Sequence, residues 1–426
     1  MTGKNRRFRA SGWLFGMVAT TMFAWSAAAL AQTADAPADA PPPAPPPPAA
    51  VPEMTPPPPL PPPPPVAEAA KPPTATEAMP ATRPEALPPI DVGAWLRVGG
   101  LFQNGSDPKK INDFRINSAY VELHAGGKIH KNVGVTLNLN ANMTNFGGAK
   151  ASVAMPNPSA VDQLGSPVSV MDAIISFDFD DAFHLWGGHL LVPVDRSNAS
   201  GPFFMIPWNY PGLSGSPKEG PSGRNNGAVI WGDVAPAKLT YLVGVFDNGS
   251  VASSPLFSGR LRLSILDAET GFWGNGSYFG EKDLLTIGVG GQFQKHGSTD
   301  ALGDKDWTEV NADLLFEKKI PGGGWVTAEG AYYHYGVNDG SISDSLYVLG
   351  AYATPTVGVG NIQPMVRYQW EKTKGDGSVS FWNLDAALSY LIKGPALRVV
   401  ATYSHTKLGM DATANSIQLG AQAIFF

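Results

Sequence analysis

Cysteine is absent from all 426 residues, which excludes a disulfide scaffold and thiolate metal sites. That absence also suits a chain exported into an oxidising compartment. Beyond the first thirty residues no stretch approaches the roughly 18 consecutive apolar residues that a spanning helix needs, which argues against a helical inner-membrane protein. Charge is sparse at 15% of residues and forms no basic patch, which argues against nucleic-acid binding. The seven histidines are scattered, and neither a His-x-x-x-His pair nor a Gly-x-Ser-x-Gly elbow occurs. His334 and His405 are expected to face outward, but no serine partner marks them as hydrolytic. No cofactor motif is present, and no metal site is expected. Asp300, Asp304 and Asp306 in one loop could hold calcium weakly, although such loops are usually only solvated.

What is present begins with a leader. Lys4, Arg6, Arg7 and Arg9 precede an apolar stretch from Trp13 to about Trp25, and Ala29-Leu30-Ala31 offers a peptidase site. Residues 1–31 therefore read as a secretory signal. Removing its four basic residues from 30 Lys+Arg against 36 Asp+Glu leaves a mature net charge of about −10. Residues 32–92 form a Pro/Ala-rich segment, with an unbroken proline run at Pro61–Pro65. Such a chain lacks donors and large apolar groups, so it reads as a disordered polyproline-like spacer. Fully extended, its roughly fifty residues from Pro37 to Pro89 would reach on the order of 160 Å at about 3.1 Å per residue. A periplasmic location with a cell-wall or protein contact is the sharper expectation for it.

From Gly93 to Phe426 the pattern has a period of two. Val133, Val135, Leu137 and Leu139 alternate with Gly134, Thr136, Asn138 and Asn140; Val310, Ala312, Leu314 and Phe316 alternate with Glu309, Asn311, Asp313 and Glu317. Alternation puts the two sets on opposite faces of a strand. The pattern predicts strands at 95–103, 114–125, 132–142, 170–178, 183–191, 227–234, 238–247, 258–266, 284–295, 307–317, 325–335, 345–353, 362–371, 379–391, 396–406 and 416–426. That even number of strands suits a transmembrane antiparallel β-barrel of about 16 strands, lipid outside and water inside. The fold class is therefore all-β, with residues 93–426 as one outer-membrane barrel domain.

Alternate connections are tight and hold turn residues: Gly126 to Lys131, Asp178 to Ala182, Ala235-Pro236-Ala237, Pro321 to Gly324 and Lys393-Gly394-Pro395. With a periplasmic N-terminus these lie on the inner side, and the long links 143–169 and 192–226 lie outside. The inner link 267–283 breaks the rule by its length; either it tucks against the barrel or the register fails there. Trp231, Trp307, Trp325, Tyr332, Trp370, Trp382, Tyr390 and Tyr403 fall near strand ends and read as an interfacial girdle. Ile417, Leu419, Ala421 and Ala423 are in phase with Phe425 rather than with the terminal Phe426.

The third outward link, 192–226, is long and rich in aromatics, which favours packing onto something. Folding it inward would dock Phe203, Phe204 and Trp208 on the wall and leave Asp195, Arg196, Lys218 and Arg224 at a constriction. Alternation points Arg97, Arg260, Arg262, Arg367 and Arg398 inward, with Glu122, Asp172, Glu309, Asp313, Glu317, Glu329, Glu371 and Asp385. Arg260 and Arg262 could form a cationic strip opposed to Glu309, Asp313 and Glu317. Alternatively, these charges simply neutralise one another.

Gly187-Gly188-His189-Leu190-Leu191-Val192-Pro193, with Arg196 beyond, and Ser277-Tyr278-Phe279-Gly280 before Leu284–Gln294 resemble the phosphate-selective porin O/P family. The resemblance spans most of Gly93–Phe426 but is diffuse. It implies a sixteen-stranded porin of a Gram-negative outer membrane, usually trimeric, with an inward third loop and, in anion-selective members, arginines and a lysine for phosphate. The resulting expectation is a channel for passive diffusion of small hydrophilic solutes or ions, surrounded by outer-membrane lipid and assembled as a homotrimer. The competing expectation is a non-conducting barrel that anchors the envelope through its Pro-rich arm.

Overall fold

The computed structural model describes residues 89–104, 111–142, 168–211, 223–247, 254–297, 305–336, 342–374, 378–408 and 412–425. The leader, the Pro/Ala-rich segment, Lys218, Asp300, Asp304 and Phe426 lie outside the described residues. Eight strands run β1 (Asp91–Asn104), β2 (Ile111–His130), β3 (Val133–Asn142), β4 (Val168–Asp180), β5 (Phe183–Leu191), β6 (Arg224–Val234), β7 (Leu239–Asp247) and β8 (Leu256–Ser264). Eight more follow: β9 (Leu284–Gln294), β10 (Trp307–Lys319), β11 (Trp325–Tyr335), β12 (Ile342–Ala353), β13 (Asn361–Thr373), β14 (Ser380–Lys393), β15 (Leu397–Leu408) and β16 (Ala412–Phe425). Each pairs antiparallel with its sequence neighbours, and β1 pairs with β16, so the sheet closes on itself. Closure removes every edge, which is what a sheet in lipid requires.

The two faces of the wall are inverted relative to a soluble protein. Val243, Phe257, Leu261, Val289, Val310, Val366 and Leu388 are exposed on the outer face, each at 49% or more except Val289 at 48%. Arg262, Asp313, Glu317, Arg367, Asp385 and Arg398, at the alternate positions, are all 4% exposed or less. In water that arrangement would leave oily side chains wet. Against lipid it is the favourable one. Strands of 9 residues (β5) to 20 residues (β2) are long enough to span hydrocarbon.

All sixteen predicted segments are strands, with ends displaced by a few residues. The largest displacements are at β2, which runs through Gly126 to His130 and leaves only Lys131-Asn132 to turn, and at the starts of β1 and β16. At β6 the strand starts at Arg224, which belongs to the wall rather than to the preceding loop. Ile417, Leu419 and Phe425 are exposed on the outer face, in the phase expected of the last strand.

The girdle reading needs correction. Tyr332, Trp370, Trp382, Tyr390 and Tyr403 occupy outward positions, but Trp231, Trp307 and Trp325 are buried and turned inward. Their parity explains it, since Trp307 is in phase with Glu309 and Asn311, and Trp325 with Thr327 and Glu329. The register through link 265–283 holds on both sides, Ser264 pairing with Thr286 and Leu284 with Glu317. The link itself folds into the barrel.

Candidate functional site

The interior is organised by the loop that follows β5. Asp195 has an extended backbone and its carboxylate accepts the Asn198 N–H at 2.8 Å, capping a single helical turn, α1 (Arg196–Ser200). The rest of the loop to Pro211 is irregular, so its carbonyls need donors from elsewhere. Inward side chains of the wall supply them. Ser258 donates to the Pro193 carbonyl at 2.7 Å and Arg260 to that of Val194 at 3.2 Å. Gln422 donates to Phe203 at 2.9 Å, and Arg398 to Met205 and Ile206 at 2.7 and 3.1 Å. Arg97 donates to Trp208 at 2.5 Å, and Arg367 to Asn209 at 2.9 Å. Donors from β1, β8, β13, β15 and β16 thus hold one loop inside the barrel.

Apolar contacts reinforce this placement. Phe203 is fully buried with Ile424, and Trp95 meets Phe203 and the half-buried Phe204 at 5.1 and 5.4 Å. Ile206 and Trp208 pack on Leu349, Met365, Ala387 and Val400, inward residues of β12 to β15. The Arg97 guanidinium lies 3.7 Å from the Trp208 ring, a desolvated cation–π contact. Gly99 and Gly420 face each other across the β1–β16 seam, and Trp208 occupies the space their missing side chains leave.

Several of the inward charges pair with one another rather than forming opposed strips. Arg260 reaches Asp313 at 2.5 and 2.9 Å across the intervening strand β9. Gly288 permits it, because a Cβ there would lie 2.3 Å from the guanidinium. Arg224 pairs with Asp172 at 3.2 Å and Arg367 with Asp385 at 2.8 Å. Ser404 and Gln369 add donors to Asp385. Glu122 lies 3.5 Å from His124, and Glu329 accepts from the Tyr347 hydroxyl at 2.7 Å. Glu309 and Glu371 are buried on the same inner face, Glu309 accepting from Asn311.

Arg196 does not stand free. Its side chain is fully buried, forms a two-point pair with Glu269 at 2.7 and 2.8 Å, and touches Asp313 at 3.3 Å. Glu269 belongs to link 265–283 and was not among the residues singled out from sequence; nor were Tyr333, which donates to Asp195 at 2.7 Å, and Tyr347. Burial would raise the Glu269 carboxyl, but Arg196 and Arg262 bring it down to about 2. Burial likewise opposes the Arg196 charge, yet Glu269 and Asp313 hold its pKa well above the usual value. For Asp195, burial outweighs the Asn198 and Tyr333 hydrogen bonds and the carboxyl is raised. A cavity of about 10 Å³ remains among Arg196, Arg260, Arg262 and Phe272, room for one water.

No protein-family model matches the sequence, and no curated protein matches it. Solved structures do share its fold. Pseudomonas putida OprB aligns with a TM-score of 0.57 at 12% identity, covering 79% of this chain and 93% of its own. The outer-membrane expressed OmpT of Vibrio cholerae aligns at 0.50 and 12%, covering 80% and 98%. Salmonella typhi OmpF, in a complex with daunomycin, aligns at 0.50 and 12%, also covering 80% and 98%. The chain is thus similar to these proteins in fold: a closed barrel of sixteen antiparallel strands.

Proposed function

We propose that this protein is an outer-membrane porin, a water-filled channel for passive diffusion of small hydrophilic solutes or ions. The observation that carries the reading is the inverted wall. Charged and amide side chains turn inward all round a closed barrel whose outer face is apolar. In this reading the interior positions Arg97, Glu122, Asp172, Arg260, Arg262, Glu309, Asp313, Glu317, Glu329, Arg367, Glu371, Asp385 and Arg398 belong to the pore wall. The third loop narrows the passage between them. Its docking by wall arginines supports a fixed constriction rather than a mobile lid.

The mature protein is proposed to have residues 1–31 removed and its Pro/Ala-rich arm in the periplasm. A homotrimer is the proposed assembly. Selection of phosphate, implied by the porin O/P resemblance, finds little support in the interior: Arg196, Arg224, Arg260 and Arg367 are held by carboxylates, and Arg97 and Arg398 by loop carbonyls. Selectivity in a pore follows the groups left facing the ion. The rival reading, a barrel that conducts nothing and anchors the envelope, draws support from the tight packing around Arg196. Swelling of proteoliposomes in sugars of rising size separates the two. Graded swelling that slows with solute size supports the porin; no swelling with correctly folded protein supports the anchor.

A further inference from the structure

The link between β8 and β9 departs from its neighbours. At the same end of the barrel the chain otherwise reverses within a few residues, as at 131–132, 181–182 and 235–238. The middle of link 265–283, from Glu269 to Phe279, instead enters the interior, and its path is fixed in detail. Arg262 donates to the carbonyls of Glu269, Gly271 and Trp273 at 3.1, 2.6 and 3.2 Å. The Gly271 N–H donates to Asp233 at 2.8 Å. Glu317 accepts from the Ser277 hydroxyl at 2.7 Å and from the N–H groups of Tyr278 and Gly280 at 3.2 and 2.8 Å. Phe272 stacks on Trp186 at 4.6 Å, and Phe279 packs with Trp325, Ala353 and Leu391. Of the inward-turned tryptophans that do not join the girdle, Trp231 and Trp325 are therefore part of the seat of this link.

At its deepest point the link meets the third loop, which enters from the opposite end. Arg196 grips the Glu269 carboxylate through two hydrogen bonds and also donates to the Asn275 carbonyl at 2.9 Å. The Ser277 N–H donates to the Phe204 carbonyl at 3.2 Å. A Cβ on Gly276 would lie 3.3 Å from Met205 Cα. Tyr278 donates to Glu269 at 3.0 Å, steadying the carboxylate that receives the guanidinium. Both side chains of the central pair are fully buried, so neither finds an alternative partner in water.

We propose that residues 265–283 act as a floor that sets the position of the third loop, with Glu269 as the positioning residue. The inference rests on the porin reading and deepens it: the constriction is clamped from both ends of the barrel. Wall side chains hold residues 193–194 and the segment 203–209 from one side, and the floor holds both Arg196 of α1 and the Phe204–Met205 backbone from the other. Releasing the Glu269 contact would loosen α1 and let the Met205 segment part from Gly276 while the wall contacts keep the loop inside the barrel. The passage would then fluctuate rather than vanish.

The native chain has no cysteine, so an introduced pair reports proximity without background. Met205→Cys with Gly276→Cys should form a disulfide quickly under mild oxidant in the full-length protein folded in detergent or lipid. Adding Glu269→Gln should slow that reaction by about tenfold or more, the scale of losing charge-assisted hydrogen bonds. In planar bilayers Glu269→Gln alone should raise open-channel current noise, and the oxidised cysteine pair in that background should suppress it. Tyr278→Phe, which removes only the steadying hydroxyl, serves as a milder second variant if Glu269→Gln does not fold. Its expected effect has the same direction and a smaller size. Equal cross-linking rates with and without the substitution overturn the inference, as does noise that oxidation leaves unchanged. A wild-type protein that is silent in bilayers yet shows the rate difference refutes the channel and leaves the floor standing.

Discussion

Gly420→Val tests how the third loop is anchored. A Cβ at Gly420 would sit 2.7 Å from three atoms of the Trp208 ring, closer than real carbons approach. Gly99, its partner across the seam, already lies against the same ring. Valine therefore forces either a strained seam or an expelled indole. Overpacking of the first kind costs about 1–3 kcal/mol. Expulsion loses a nearly buried tryptophan, about 3–5 kcal/mol by analogy with Trp→Ala, including a desolvated cation–π contact of about 2 kcal/mol. A loss of about 3 kcal/mol lowers the docked-to-undocked ratio on the order of a hundredfold. The Arg97 bond to the Trp208 carbonyl remains possible, so the barrel should still close. Heat-modifiable mobility on gels reads the barrel, and single-channel recording reads the loop. Gly350→Ala, where an added Cβ meets no atom within 4 Å, is the control. The variant should keep a folded barrel but show larger, noisier conductance steps. Wild-type conductance and midpoint in Gly420→Val would refute the anchoring argument.

Other outcomes follow from the same geometry. Glu269 is depressed from 4.5 to about 2, so its contribution is present above about pH 4.5 and is lost as pH falls toward 2. That shift corresponds to about 3 kcal/mol at most. The difference in thermal midpoint between wild type and Glu269→Gln should therefore shrink across that acid window. Taking the difference cancels Asp195, whose raised carboxyl acts in the opposite sense. Asp313→Asn leaves Arg260 and Arg196 short of a carboxylate in a buried site, which should cost about 3–5 kcal/mol; the paired change Arg260→Met with Asp313→Leu should cost much less, as denaturant midpoints will show.

Much of the barrel was legible because lipid imposes its rule on every second residue. Val310 and Leu314 against Glu309 and Asp313 could be read at once, and the same phase placed the thirteen strand charges on the inner face. The girdle error was avoidable in principle, since Trp307 and Trp325 share the parity of their acidic neighbours. Proximity to a strand end outweighed parity in that reading. The charge pairs were not legible. Arg260 and Asp313 lie on strands separated by β9, and their contact depends on the absence of a side chain at Gly288. Arg196 was expected at the passage because a loop arginine has no periodicity to betray its direction. Its partner Glu269 sits in a link whose inward fold depends on long-range seats at Trp231, Glu317 and Trp325. Link 267–283 stood out by length alone, and that anomaly proved structural.

The most direct measurement is planar-bilayer recording of the purified full-length protein, checked beforehand for folded, heat-modifiable mobility. An apolar-out, polar-in barrel with a fixed internal loop should give discrete, long-lived current steps of uniform size. Folded protein that inserts into the bilayer and passes no current would contradict the channel outright.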